Sequence, residues 1–258
     1  MYKPNNTTEA AYLGENTYIT NRGRRFYIKE LGDSCFAGCT TLKTVNVDWS
    51  NKVVTKIPDY AFDGCTALHS FTWPTATNKL ATIGRNAFRY TAISGKVNLA
   101  NAKSLTRIGI SAFYQCNQVT DYVLPDKLNY IGNLAMYEGN TVSCKLATVT
   151  CYNTTPPQLG SMVWNGVFQN WQTLYVPQAS VNAYKAADQW KDFGHILAIA
   201  DGDVNGDGQV TAADITALYD YMLNNDSSHI VNGDQTGDGL ITAADITAVY
   251  TIMLSSKE

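Results

Sequence analysis

IGRNAFRYT (residues 83–91) and IGISAFYQC (108–116) are two settings of one phrase, and the way that phrase recurs decides the fold. It also reads LGDSCFAGC at 31–39, IPDYAFDGC at 57–65 and, degraded, IGNLAMYEG at 131–139, with steps of 26, 26, 25 and 23 residues. A period of that length marks a solenoid, in which each coil buries its apolar side chains only against its neighbours. After the phrase comes an apolar alternation: LKTVNV (42–47), LHSFTW (68–73), VTDYVL (119–124) and LATVTC (146–151). A period of two predicts a short strand with one face buried. One strand per coil, stacked coil on coil, builds a parallel ladder.

Within the phrase, the leading Ile or Leu and Phe36, Phe62, Phe88 and Phe113 are expected to fill the interior, with Ala61, Ala87 and Ala112 small because a neighbouring coil sits close. Gly32, Gly84, Gly109 and Gly132 are read as a tight bend. Cys39, Cys65 and Cys116 share one position, occupied in the third coil by Thr91. The six cysteines could form a disulfide set, but this placement favours a column of small buried thiols. The phrases resemble the BspA-like leucine-rich repeat family of bacterial surface proteins, over about residues 26–177. Met136 departs from the pattern, and WNGVFQNWQTLYVP (164–177) keeps only Phe168 and a strand ending in Pro. A solenoid end needs a cover, and residues 178–199 supply one: Ser180 is placed to cap a helix in which Val181, Tyr184, Ala187 and Trp190 recur at helical spacing.

The chain has 258 residues and is 45 % apolar, enough for one large or two unequal domains. Its net charge of −3 is unevenly spread. Residues 201–258 carry ten of the 22 acidic groups and one of the 19 Lys and Arg, net −9, which leaves +6 on residues 1–200. That excess is too dilute to argue for nucleic acid, and no basic run supports it. No apolar run is long enough for a membrane span, and the start, MYKPNNTTEAAY, lacks the pattern of a secretion signal.

The acidity lies in two loops. DVNGDGQVTAAD (203–214) returns as DQTGDGLITAAD (234–245), 31 residues on. In a calcium loop of the EF-hand type, ligands come from positions one, three, five, seven, nine and twelve, with Gly at six. Here these are Asp203, Asn205, Asp207, Gln209, Thr211 and Asp214, with Gly208, and Asp234, Thr236, Asp238, Leu240, Thr242 and Asp245, with Gly239. A hard cation needs several oxygens, and three carboxylates per loop repel one another without it. A single such run is often a polar turn; two in register, each followed by an apolar helix, argue for two calcium sites. Thr211 and Thr242 are placed to cap those helices. Ile215, Leu218, Tyr219 and Met222 recur at helical spacing in the first, and Ile246, Val249, Tyr250 and Met253 in the second.

Loop plus helix, duplicated, resembles a type I dockerin module over about residues 201–255, although Thr236 stands where Asn or Asp is usual. The resemblance implies a cohesin-type partner, chosen partly by loop positions ten and eleven, here Ala212–Ala213 and Ala243–Ala244. Their identity in both halves implies a face usable in two orientations.

His69, His195 and His229 are scattered and form no catalytic signature. Trp49, Trp73, Trp164 and Trp171 lie at or after strand ends, where they could stack on sugar rings, although core packing explains most aromatics. The sequence therefore predicts an α+β chain: a leucine-rich-repeat solenoid with short parallel strands at 1–200, then a small all-α calcium-loop domain at 201–258. The expected function is non-catalytic binding outside the cell, the repeats taking a protein or polysaccharide and the dockerin a cohesin. The rival expectations are an enzymatic component of a degradative complex and a dockerin that only packs on the solenoid.

Overall fold

The computed structural model describes residues 10–13, 18–21, 24–27, 31–49, 54–76, 78–138, 144–164, 171–205, 209–236 and 240–255. The period-two segments form the expected parallel ladder. β1 (Ala10–Leu13), β4 (Thr44–Val47) and β6 (Ser70–Phe71) run side by side, followed by β8 (Ser94–Asn98), β10 (Gln118–Leu124), β12 (Thr148–Cys151), β14 (Thr173–Val176) and β15 (His195–Ala198). The Ser94 N–H donates to the His69 carbonyl at 3.2 Å and joins the two groups. β2 (Tyr18–Asn21) and β3 (Arg24–Tyr27) form an antiparallel hairpin.

Each of the middle coils contains a second strand that periodicity could not show, because it is only two residues long. β5 (Lys56–Ile57), β7 (Thr82–Ile83), β9 (Arg107–Ile108), β11 (Tyr130–Ile131) and β13 (Gln158–Leu159) pair in parallel, each ending on the leading Ile or Leu of the phrase. The glycine that follows is not there for a bend. A Cβ on Gly109 would lie 2.5 Å from the Gly84 carbonyl carbon and 2.6 Å from Arg85 N, and one on Gly132 would lie 2.6 Å from Ile110 N. These glycines let successive coils approach. The bend falls two residues later, where Ser34, Tyr60, Asn86, Ser111, Leu134 and Met162 all adopt left-handed backbone, φ 52–58°.

Between coils the phrases exchange main-chain hydrogen bonds: Phe62 N–H donates to Ala87 O (2.8 Å), Phe88 to Ala112 (2.7 Å) and Phe113 to Ala135 (2.7 Å). That register stacks the phenyl rings of Phe36, Phe62, Phe88 and Phe113 at 5.2–5.3 Å, nearly parallel. Phe36, at the open end of the stack, is only partly buried; the other three and the alanines are fully buried. Met136 donates to Val163 O (3.2 Å), which identifies LGSMVW (159–164) as a sixth phrase with Trp164 in the ring column. Its letters depart too far from the phrase to be matched, and Phe168, the expected Phe of this stretch, lies outside the described residues.

All six cysteines are thiols. Cys65 donates its S–H to Phe36 O (3.0 Å) and Cys116 to Phe88 O (3.1 Å), and burial pushes both thiols up to about 12. Thr91 donates to Phe88 O of its own coil at 2.8 Å, the same carbonyl that Cys116 reaches from the next coil.

The cover differs from the expected helix. α1 (Val181–Ala186) has six residues and stops at Ala187, which is extended, and the chain then returns as β15. Ser180 makes no side-chain cap; its hydroxyl donates to Thr154 O at 2.8 Å. Side chains close the solenoid end instead. Gln189 accepts the Val163 N–H (2.8 Å) and donates to Gly160 O (2.6 Å), Tyr184 donates to Asn153 O (2.9 Å) and Trp190 to Pro157 O (3.0 Å). Backbone groups that a further coil would have satisfied are thereby paired.

Candidate metal centre and partner surface

Beyond the cover, α2 (Ala212–Asn224) and α3 (Ala243–Ser255) pack against each other around Leu218 and Val249, both fully buried. Ile215, Ile246 and Met253 pack at the edge of this core. The apolar stripe read from the sequence is narrower in the structure: Tyr219, Met222 and Tyr250 are exposed, because a two-helix module covers only one side of each helix.

Each loop closes on its twelfth residue. Asp214 is fully buried; its Oδ1 accepts the N–H groups of Val204 (2.8 Å) and Asn205 (3.1 Å), and Oδ2 that of Thr211 (2.8 Å). Asp245 repeats the arrangement with Gln235 (2.8 Å), Thr236 (2.9 Å) and Thr242 (2.7 Å). Burial works to raise the Asp245 carboxyl, but the N–H groups of Thr242, Thr236 and Gln235 outweigh it and hold the group below the ordinary carboxylate range. A short Asp, not a Glu, reaches back to the loop backbone from the first turn of the helix.

The hydroxyls at position nine serve the helices. Thr211 Oγ1 accepts the Ala213 N–H (3.1 Å) and Thr242 Oγ1 the Ala244 N–H (3.2 Å). Thr236 donates to Asp234 Oδ1 at 3.4 Å, so the unusual residue at position three meets the carboxylate at position one. Asp203, Asn205, Gln209 and Leu240 are placed along their loops; Asp207 and Asp238 lie outside the described residues.

The donor set fits a hard divalent cation. Every side chain offered at positions one, three and twelve is an oxygen donor, and residues 201–256 contain nine Asp but no Lys or Arg to balance the charge. Asp214 has about four lone-pair positions and accepts three N–H bonds, which leaves it capacity for one metal bond, whereas Asp245 also accepts the Thr242 hydroxyl at 3.4 Å, a long bond that a cation could displace. A bound cation would supply the missing positive charge and fix the loop ends relative to their helices.

Ala212, Ala213, Ala243 and Ala244 are all exposed at the starts of α2 and α3. No motif announced the network that joins the two halves. Gln235 accepts the Gly202 N–H (2.9 Å) and donates to Asn232 O (2.7 Å), while Asn232 donates to Asp201 Oδ1 (3.1 Å) and Ile199 O (3.0 Å). Its one available signal was that position two is apolar Val204 in the first loop and polar Gln235 in the second, both buried.

Burial removes two of the four tryptophans, Trp49 and Trp164, from the expected sugar-stacking set. Trp49 is buried and donates its indole N–H to Thr72 O at 2.7 Å. Trp73 packs on Phe71 (4.7 Å) and Phe88 (5.5 Å), and Trp164 is fully buried against Trp190 and Phe193, both at 5.4 Å. Trp49 and Trp164 belong to the core, and Trp73, half-buried, packs against it. Trp171 alone of the four is exposed. His69, His195 and His229 stand on separate elements, all exposed. Among the described residues no helix is long and apolar enough to cross a membrane.

Comparison with known proteins agrees with this geometry. Residues 29–155 match the BspA type leucine rich repeat region in six copies, and residues 201–254 match the dockerin type I domain. No curated protein matches the chain. Among solved structures, it is similar to the pneumococcal vaccine antigen PcpA, at 15 % identity over 70 % of this chain and 43 % of that one, TM-score 0.46. A leucine-rich repeat protein from Bacteroides ovatus follows, at 13 % identity over 77 % and 71 %, TM-score 0.30. A leucine-rich cell surface protein from Faecalibacterium prausnitzii is 12 % identical over 76 % and 92 %, TM-score 0.26. The chain thus spans less than half of the pneumococcal antigen. Type I dockerin domains bind calcium and imply a cohesin-type partner, and both modules are typical of extracellular or cell-surface bacterial proteins. The chain carries a BspA-type leucine-rich repeat region at residues 29–155 and a type I dockerin domain at residues 201–254.

Proposed function

We propose that the chain is a non-catalytic attachment protein of the bacterial exterior, whose solenoid recognises a protein or glycan while its dockerin, with one calcium ion in each loop, docks on a cohesin. The exposure of the matching pairs Ala212–Ala213 and Ala243–Ala244 carries this reading. A dockerin whose helix starts packed on the solenoid would bury them. Their equivalence in two halves related by a 31-residue offset supports a face usable in either of two orientations. The exposed Tyr219, Met222 and Tyr250 on the same helices give a partner apolar area to cover. Against an enzymatic role, the three histidines are dispersed, and the repeat columns are occupied by scaffold residues.

The test is capture by immobilised cohesin domains, with and without chelator, of the wild type and of Ala212→Asp combined with Ala243→Asp. Calcium-dependent capture that the double substitution abolishes is expected. Capture that survives the double substitution, or that persists in chelator, overturns the reading.

A further inference from the structure

We infer that the glycine-floored groove between Arg85 and Arg107 binds a carboxylate-bearing sugar, a hexuronate residue of an acidic polysaccharide; this names a ligand for the solenoid and rests on the reading that the solenoid recognises one. The groove encloses about 290 Å³ between Asp59, Thr82, Gly84, Arg85, Arg107 and Gly109. It exists because of the glycine column. A Cβ on Gly84 would lie 2.6 Å from Asp59 N, and one on Gly109 2.5 Å from the Gly84 carbonyl carbon, so no side chain can fill the floor.

Two cations flank that floor. Arg85 is exposed; its backbone N–H donates to Asp59 Oδ1 at 2.7 Å, and its guanidinium has no acceptor among the described residues. Arg107, also exposed, is held 4.3 Å from the centre of the Tyr130 ring, which orients the guanidinium without using its hydrogen-bond donors. Arg89, by contrast, is neutralised by Asp63 through two bonds of 2.7 and 2.8 Å. A pair of guanidiniums with open donors matches a carboxylate, which they can grip in bidentate fashion.

The rest of the lining selects a sugar acid over an acidic peptide. Asp59 leaves its second oxygen to accept hydroxyls, and its charge opposes a ligand that is only anionic. Thr82 adds a hydroxyl. The glycine N–H groups of the floor are not offered to a peptide carbonyl, because that of Gly84 is committed to Ile57 O (2.8 Å) and that of Gly109 to Ile83 O (2.7 Å). The volume is at the small end of ligand pockets, about 300–1,000 Å³, and suits one ring.

Calorimetric titration of the full chain with a glucuronate-containing oligosaccharide, its carboxyl-reduced twin and pentaglutamate tests this. The variants are Arg85→Ala, Arg107→Ala and, as a charge control on the other ladder, Lys96→Ala. A hydrogen-bonded charge contributes about 1.5–3 kcal/mol, so affinity for the acidic oligosaccharide should fall roughly tenfold or more in either arginine variant. The wild type should bind the reduced twin more weakly by at least the same factor, and Lys96→Ala should bind the acidic form as the wild type does. No binding by the wild type, equal binding of the reduced twin, equal loss in Lys96→Ala, or tighter binding of pentaglutamate overturns the assignment. Thermal unfolding of both arginine variants verifies that they fold, and cohesin capture, which does not involve these residues, reports separately on the dockerin.

Discussion

Glu138 gives the solenoid a pH dependence of predictable sign. Its side chain is fully buried in the fifth coil, and burial pushes its carboxyl up to about 8 from an ordinary 4.5. With its amide turned to suit both groups, Asn117 donates to Glu138 Oε2 at 2.9 Å and to its carbonyl at 3.3 Å. The titratable neighbours are Cys116, Tyr122 and Cys144, all raised chiefly by burial and therefore neutral around pH 7. The unfolded chain releases the Glu138 proton near 4.5 and the folded chain near 8, so between those values the folded state binds more protons. Stability is greatest below 4.5 on this account and is lost as pH rises through 8. At about 1.36 kcal/mol per pH unit, the loss reaches about 3 kcal/mol at pH 7 and about 5 at the alkaline limit, upper values because an ionised buried group draws in water. Glu138→Gln removes the charge and keeps a carbonyl for Asn117. Urea unfolding followed from pH 4.5 to 8.5 should show the two proteins equally dependent on other groups, nearly coincident at pH 4.5, and the variant more stable by roughly 2–5 kcal/mol at pH 8.5. Parallel profiles, with no gain at alkaline pH, would refute the buried neutral carboxyl.

Glycine substitutions should distinguish close approach from backbone conformation. Gly109→Ala must push neighbouring coils apart and strain the 2.7 Å bond to Ile83, about 2–4 kcal/mol, whereas Gly38→Ala, at φ +75° with open space around it, incurs only local strain of about 1 kcal/mol. A larger fall in the solenoid transition for Gly38→Ala than for Gly109→Ala would contradict the structure. In the dockerin, calcium should raise the unfolding temperature of the C-terminal transition, and Asp234→Ala should reduce that gain by the share of the second loop while leaving chelator-treated protein unchanged. Asp245→Ala should lower the transition even in chelator, because it orphans three N–H groups at about 1–3 kcal/mol for each buried one. Identical behaviour of the two variants in calorimetry would show that Asp245 acts only through the metal.

What the sequence made legible was whatever repeats. The period, the phenyl column, the thiol column and the paired loops each present the same side chain to the same environment several times over, and coincidence cannot imitate that. What it hid was set by a single contact. The two-residue strands carry no alternation. The strand HILA lies beyond a six-residue helix whose length depends on Ser180 and Tyr184 finding carbonyls in the coil before them. Trp49 and Trp164 both lie inside the molecule, Trp49 because its indole N–H finds the Thr72 carbonyl and Trp164 because its ring takes the place of Phe in the column, where its N–H has no acceptor among the described residues.

The columns also explain why letter matching is too strict for the degraded phrases. Thr91 stands for Cys because either donor reaches a phrase carbonyl, Met136 stands for Phe behind an N–H that still reaches the next phrase, and Trp164 supplies the apolar bulk at the column's end. Val163 replaces Ala at the last described phrase, where the neighbour is no longer a coil but the Gln189 side chain. The changes at Met136 and Val163 follow the contact that the position makes with whatever lies next along the stack. The unit that recurs along this chain is therefore a set of bonds between coils. Matching residues by the bond they supply recovers LGSMVW as a sixth phrase, which matching by letter does not.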